Sequence, residues 1–439
     1  MDHTNTRVVF LLFIAAVLLL LAPAVGGSPP LAWQNETVDS TWYAGKYTSL
    51  ALDGDGRPRI SYWDETNGDL KFAWLNSAGW HTETVDSEGY VGLWTSLALD
   101  EVDAPRISYY DGMNHDLKYA WRDSTDWYTE TVDAAGNVGE YTSMALDGHN
   151  KPHIGYRDEW NGDLRYAWHN GSGWEIETVD GGSAGLYSSL ALDSAGNPHF
   201  SYLGGYGDYD LKYAWRDGTG WQIETVESEG DFRETSLALD VCGSPRISYC
   251  FNKPGDYLNH DLKYAWRDGT GWHTETADPA GNAGMWSSLA LDRAGDPWIS
   301  YLDLTHQELK LAWHNSTGWY NQTVDSECFV GEWTSLSLDS NDRPRISYCN
   351  VTGYNLKYAW ADRAPAVTAI PGGAGVPTDT DGDGLYDDVN GNDRADFADV
   401  VLYFVGLTWI AENQPLAGFD FNNNGRVDFA DVVWLFNDL

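Results

Sequence analysis

One phrase, Ser-Leu-x-Leu-Asp or a close variant, begins at Ser49, Ser96, Ser143, Ser189, Ser236, Ser288 and Ser335, with successive copies 47, 47, 46, 47, 52 and 47 residues apart. A period of this size restricts the chain to architectures that stack or ring one supersecondary unit. Within each copy four apolar segments return in the same order, for example 96–100, 106–110, 117–121 and 127–133. Turn chemistry separates them. The first turn carries Gly or Asp with Pro (Gly56-Arg57-Pro58, Gly196-Asn197-Pro198), the second Asn-Gly-Asp or a relative, the third Gly-Thr-Gly-Trp or a relative. Gly and Asn supply the positive φ that tight hairpins need.

Four hairpin-linked strands per repeat describe the blade of a β-propeller, whereas a helical solenoid would show a period of about 3.6 residues inside each unit. Ser-Leu-Ala-Leu is apolar or small throughout, as a strand buried on both faces should be, and is expected to line the central channel. The fourth strand, such as Thr82-Glu83-Thr84-Val85, alternates polar and apolar as a rim strand would. The seventh copy ends after 356–360 without a fourth strand. Its missing piece lies at the other end, where 33–39 (Trp-Gln-Asn-Glu-Thr-Val-Asp) matches 80–86 in register. The expected fold over residues 31–361 is therefore an all-β, seven-bladed propeller whose N-terminal strand closes the last blade and removes an open sheet edge.

Composition excludes several functions. The 439 residues carry 66 Asp+Glu against 26 Lys+Arg, a net charge of -40 that would repel nucleic acid and anionic membranes. With 42% hydrophobic and 14% aromatic residues the chain is too apolar for an acidic disordered protein. Residues 8–22 form an apolar run behind Arg7, followed by the small-x-small triplet Ala22-Pro23-Ala24. Residues 1–24 read as a signal peptide, which makes the mature protein secreted or extracellular, cell-surface associated, with no membrane span after cleavage. A retained anchor is the alternative, but the run is shorter than the roughly 20 residues a span needs. Sequons at Asn35, Asn170, Asn315, Asn321 and Asn350 agree with export.

A Gly-x-aromatic step before the first strand places Tyr47, Trp94, Tyr141, Tyr187, Trp286 and Trp333 at equivalent positions near the channel mouth, on the face called the top. Such a ring could stack on sugar rings, and these residues are the candidate ligand site; the competing role is packing between blades. Arg59, Arg106, Arg246 and Arg345 on the second strand, and Lys71, Lys118, Arg165, Lys212, Lys263, Lys310 and Lys357 on the third, repeat with the blades. A catalytic site needs an asymmetric set assembled once, so these charges read as ion pairs at strand edges. Sialidases place an arginine cluster on a propeller, and the turns at 217–221 and 268–272 loosely resemble the Asp-box of that class without keeping its spacing. Symmetry breaks in blade five, where the top loop 251–260 is five residues longer and Asp231-Phe232-Arg233-Glu234 replaces Gly-x-aromatic. Cys328 and Cys349 are placed to form a disulfide at the top of blade seven, whereas Cys242 and Cys250 lie at opposite ends of a strand.

Beyond the propeller, 362–378 reads as an Ala-, Pro- and Gly-rich linker. Residues 379–439 hold 12 Asp and 1 Glu against 2 Arg, and contain one phrase twice. The first copy places Asp388, Asn390, Asn392, Arg394, Asp396 and Asp399 at loop positions 1, 3, 5, 7, 9 and 12; the second places Asp420, Asn422, Asn424, Arg426, Asp428 and Asp431 there. Side-chain oxygens at these positions, with the backbone carbonyl at position 7, are what a Ca²⁺ loop requires, and each loop runs into an apolar helix. The pair resembles the dockerin type I module. That resemblance implies a small all-α, EF-hand-like domain that binds calcium and docks on a cohesin-type or cell-surface protein, with Phe397, Ala398, Phe429 and Ala430 facing the partner. Asp393 departs from the usual Gly at position 6. A third phrase, Asp379, Asp381 and Asp383, resembles thrombospondin-type calcium repeats and reads as a partial or shared site.

Together these features lead to the expectation of an extracellular, non-catalytic binding or scaffold protein whose propeller presents a ligand face suited to carbohydrate. The alternative is a secreted carbohydrate-active enzyme of polysaccharide breakdown, glycoside hydrolase or sialidase-like.

Overall fold

The computed structural model describes residues 31–362 apart from 206–208, 229, 254–258, 280, 316–317 and 328. Towards the C-terminus it describes 369–378, 380, 385–392, 394–414, 419, 421 and 426–438. The segment read as a signal peptide lies outside these residues. Among the described residues twenty-eight strands form seven four-stranded antiparallel sheets, six of them from four consecutive strands. The seventh is completed as expected: Ala32–Asp39 pairs antiparallel with Asn355–Asp362, from Ala32 opposite Asp362 to Asp39 opposite Leu356. Asn355–Asp362 is thereby paired on both sides, and Ala32–Asp39 takes the rim position.

The repeated serine has a physical reason. Its Oγ accepts a hydrogen bond from the backbone N–H of the leucine or methionine one blade further on: Leu97 N to Ser49, Met144 N to Ser96, and round to Leu50 N to Ser335, all at 2.9–3.0 Å. The inner strands of neighbouring blades are too splayed to share a backbone ladder, so this side-chain bond satisfies an amide that would otherwise face the channel unpaired.

A second ring of contacts staples each blade to the one before. Asp39, at the end of blade seven's rim strand, accepts from Tyr62 Oη at 2.6 Å and from Lys71 Nζ at 3.0 Å in blade one. The set repeats as Asp86 with Tyr109 and Lys118, and as Asp325 with Tyr348 and Lys357. At the end of blade four's rim strand Glu227 takes the acid's place, opposite Tyr249 and Lys263 of blade five. Burial alone would raise the Asp39 carboxyl, but hydrogen bonds from Thr41, Tyr62 and Lys71 hold it down at about 2. The third-strand lysines thus pair across blades; Asp69, two residues before Lys71, has its carboxyl raised by burial and by Asp64.

The most buried strand is the second, not the first. Pro152–Asp158 and Pro297–Asp303 are buried at every position. The inner strands alternate buried and half-buried residues: Leu50 packs in one interblade cluster, while half-buried Ser49 and Ala51 reach the next blade, where Ser49 meets Leu97.

Beyond the propeller the chain forms a pair of helices, α1 (Phe397–Asn413) and α2 (Phe429–Asp438), among the described residues. Asp396 caps α1: its Oδ1 accepts from Ala398 N at 2.8 Å, while its own N–H donates to Asp399 Oδ2 at 2.7 Å, a reciprocal capping box. Val389, Val400, Tyr403, Ile410, Phe419, Phe421, Val432 and Leu435 form a small core. Ile370, from the segment read as linker, is buried in the same core, and Thr378 bridges Asp388.

Candidate functional site at the channel mouth

Each inner strand outside blade five makes two register shifts against its partner just before the serine, for example between Ala44 and Lys46 and between Lys46 and Ser49. Tyr47, Trp94, Tyr141, Tyr187, Trp286 and Trp333 all sit within this bulge, with φ between 47° and 53°. Left-handed backbone is rare for aromatic residues, and here a repeated bulge re-aims each side chain out of the strand's alternation. Two residues earlier a glycine allows the close blade contact: a Cβ on Gly45 would lie 2.8 Å from the Leu356 Cα of the preceding blade.

The six aromatics meet. Neighbouring ring centroids are 5.2 Å apart for Tyr47–Trp94, 5.1 Å for Trp94–Tyr141, 4.7 Å for Tyr141–Tyr187, 5.5 Å for Trp286–Trp333 and 5.2 Å for Trp333–Tyr47. Their interplanar angles, 46–58°, scatter around the roughly 51° between neighbours of a seven-membered ring, so the ring planes stand parallel to the channel axis. They are half-buried and surround a cavity of about 220 Å³, with Thr48, Thr95, Thr142, Ser188, Thr235, Ser287 and Thr334 among the lining hydroxyls. The packing role is met as well: the rings touch one another, Tyr47 and Trp94 also meet Trp63 and Tyr110 of their own second strands at 5.9 and 5.5 Å, and Tyr187 and Trp286 pack against core clusters, while the remainder of each ring lines the cavity.

The seventh place belongs to Glu234. Blade five builds it differently: Phe232 stands where six blades have glycine, and Asp231–Leu239 makes one register shift instead of two. Trp286 N donates to Glu234 Oε2 at 3.0 Å. Burial pushes the Glu234 carboxyl up to about 7, against the opposing pull of that hydrogen bond and of Arg233. Glu332, from the inner strand of blade seven, is likewise pushed up to about 7 by burial, with Lys46 opposing. Sequence inspection marked the change at 231–234 but did not show that Glu234 would complete the ring.

Around the mouth the top loops expose large side chains. Trp42 and Trp160 are 63% and 74% exposed, and Trp42 stacks on Tyr354 at 5.6 Å.

The second-strand arginines lie elsewhere, paired to the aspartates of their own first turns: Arg59 to Asp53 and Arg106 to Asp100 at 2.6 Å, Arg246 to Asp240 at 2.8 Å, Arg345 to Asp339 at 2.9 Å. They do not converge on one point, as a catalytic cluster would. Cys349 is buried and Cys250 is buried at the top of its strand, whereas Cys242 is exposed in a turn; the expected partner of Cys349, Cys328, lies outside the described residues.

In the C-terminal domain Phe397, Ala398, Phe429 and Ala430 are all exposed, on the first turns of the two helices. Asp388, Asp399 and Asp431 are fully buried and Asn390 nearly so. Asp399 accepts from Asn390 N at 2.8 Å, and Asp388 from Asn392 N at 3.0 Å, while Asn392 Oδ1 is buried without a hydrogen-bond partner. Burial raises the Asp399 carboxyl, and the charges of Asp388 and Asp396 add to the rise. An orphaned amide oxygen among buried carboxylates fits a hard cation. Among the described residues, however, no three carboxylate, His or Cys side chains converge closely enough to hold a metal. Arg394 and Arg426 are exposed beside Asp396 and Asp428. Asp420, Asn422, Asn424, Asp379, Asp381 and Asp383 lie outside the described residues.

No protein family matches the chain, and no curated protein does. Solved structures do. The polysaccharide lyase Uly1 superposes with a TM-score of 0.50 at 8% identity, over 71% of this chain and 89% of its own. An ulvan lyase gives 0.49 at 12%, over 72% and 94%, and the fucose-specific lectin from Aleuria aurantia gives 0.43 at 11%, over 68% and 98%. The likeness to Uly1 is one of fold. The chain contains a seven-bladed β-propeller, and among the described residues no helix is long and apolar enough to cross a membrane.

Proposed function

We propose that this is an extracellular, non-catalytic carbohydrate-binding and scaffold protein. The propeller takes a saccharide at its aromatic mouth. The C-terminal domain binds Ca²⁺ and docks on a cohesin-type partner, as the dockerin type I modules it resembles do. One observation carries the binding reading: six aromatic rings, half-exposed and parallel to the axis, surround a cavity whose lining also includes threonine and serine residues. Aromatic faces take the apolar faces of sugar rings, and hydroxyl groups take their polar edges. Asp388, Asn390, Asn392, Asp396 and Asp399, with the Arg394 carbonyl, would hold the first calcium, and their counterparts from Asp420 to Asp431 the second. The ion would neutralise buried carboxylates.

A second reading, a carbohydrate-active enzyme, draws on Glu234 and Glu332, two carboxyls raised to about 7 at one mouth, since perturbed carboxyls are the raw material of acid–base catalysis. A glycan array run beside product analysis on the same polysaccharides separates the two. Retention without new reducing ends or unsaturated products, lost in Trp94→Ala with Trp286→Ala, supports the binder. Turnover abolished by Glu234→Gln supports the enzyme.

A further inference from the structure

The segment read as a linker is built into the C-terminal domain. Ile370 is buried in its core, and Gly406 of α1 leaves room for it, since a Cβ on Gly406 would lie 3.2 Å from Ile370 Cγ2. From there the chain runs along the first calcium-loop phrase. Ala374 N and Gly375 N both donate to the Asn390 carbonyl, at 2.7 and 3.0 Å, and Thr378 and Asp388 exchange both backbone hydrogen bonds at 3.1 Å. Glycine permits the approach. A Cβ on Gly375 would sit 2.7 Å from Gly391 O, and one on Gly391 2.4 Å from Gly375 C, so two backbones touch where neither residue can carry a side chain. The glycines of 371–377 therefore serve close packing.

The residues held in this way stand at loop positions 1 and 3. Besides its backbone pair, Asp388 accepts at Oδ2 from Thr378 Oγ1 at 2.8 Å and at Oδ1 from Asn392 N at 3.0 Å, so a donor on each oxygen fixes the carboxylate's rotation. Asn390 is held at its carbonyl by Ala374 and Gly375, and at its N–H by Asp399 Oδ1 at 2.8 Å. Ligands whose orientation is already fixed lose little freedom when a cation arrives, and groups that orient them from outside are worth about 10–100-fold in metal affinity.

We propose that 370–378 is a strap that holds the first calcium loop in its ligating shape, with Thr378 as the positioning residue that sets the Asp388 carboxylate. This rests on the calcium reading of 388–399 and adds to it a residue outside the loop. Strap and ion are linked: whatever holds the strap down raises calcium affinity, and calcium in turn holds the strap down.

The test uses the full chain. Calcium is titrated by calorimetry into the parent, Thr378→Val and Thr378→Ser, with circular dichroism at saturating calcium to confirm that the helices have formed, and amide exchange over 370–378 is compared in calcium and in EDTA. The expected result is one calcium-binding step weakened at least ten-fold in Thr378→Val and recovered in Thr378→Ser, with exchange over 370–378 slowed by the ion in the parent. Should Thr378→Val fail to fold, Gly375→Ala, which pushes the strap away from Gly391 and leaves every loop side chain in place, is expected to show the same loss. Parent-like affinity in Thr378→Val or in Gly375→Ala, a Thr378→Ser as weak as Thr378→Val, or exchange over 370–378 indifferent to the ion overturns the strap and leaves the calcium reading standing. A parent chain that binds no calcium at millimolar concentration overturns both.

Discussion

Phe404 of α1 meets Phe429 of α2 edge-on, with ring centroids 5.8 Å apart, and Phe397 meets Phe436 in the same way at 6.0 Å. Phe397 and Phe429 are counterparts in the two calcium-loop phrases, as are Phe404 and Phe436, so the two contacts are related by an internal two-fold. All four rings are more than half exposed. Apolar residues this exposed, flanked by Val401, Val405 and Val433, form a surface that a partner would cover. Under the docking proposal, Phe397→Asp together with Phe429→Asp is expected to weaken capture by a cohesin at least ten-fold while the propeller's melting temperature stays put; surface plasmon resonance and calorimetry read the two quantities.

Calcium should act on this domain alone. Asp388 and Asp399 are fully buried, and without a cation their ionised carboxylates would repel one another in a core of few residues. The expected thermogram of the full chain shows two transitions, of which EDTA shifts only the smaller. Asp388→Ala with Asp420→Ala should reproduce the chelator. A chelated chain that keeps both transitions unchanged would argue against a metal-dependent fold.

Acid should loosen the propeller late. Asp39 titrates at about 2 in the folded protein against about 3.9 unfolded, so its contribution, about 2 kcal/mol, is fully present above pH ~4 and is lost as the pH falls through 2. Asp86 is lowered in the same direction; its burial opposes the drop, and hydrogen bonds from Lys118 and Tyr109 outweigh it. Melting temperature is therefore expected to rise from pH 7 to 5, as Glu234 and Glu332, held at about 7 by burial, take up protons in the folded state, and to drop steeply below 4. Asp39→Asn should lower the plateau and flatten part of that drop.

Much of this was legible in the sequence. The seven phrases fixed blade number, and the match of 33–39 to 80–86 located the closing strand, because both depend on local pattern at a known period. The partners of charged residues were not legible. Lys71 stands two residues from Asp69 in sequence, yet it reaches Asp39 in another blade, since strand alternation and ring geometry decide which side chains share an interface. Glu234 shows the same limit: its replacement of an aromatic could be read, but its place in a closed ring needed the bulge geometry that carries Tyr47 and its counterparts toward the axis.

Removing the closing strand should be costly. Without residues 31–40 the strand Asn355–Asp362 would present an unpaired edge, and Tyr62 and Lys71 would lose Asp39, although Lys357 would keep Asp325. A chain starting at Gly45 is expected to melt several degrees lower and to self-associate on gel filtration; one that stays monomeric with the parent's melting temperature would contradict the role given to that strand.

The seam also sets an order of events during synthesis. Ala32 leaves the ribosome more than three hundred residues before its partner Asp362, so the first strand must wait, unpaired, while six sheets form from local hairpins. The ring can shut only when the two remote ends find each other, which makes closure the slow, non-local step of an otherwise local folding path.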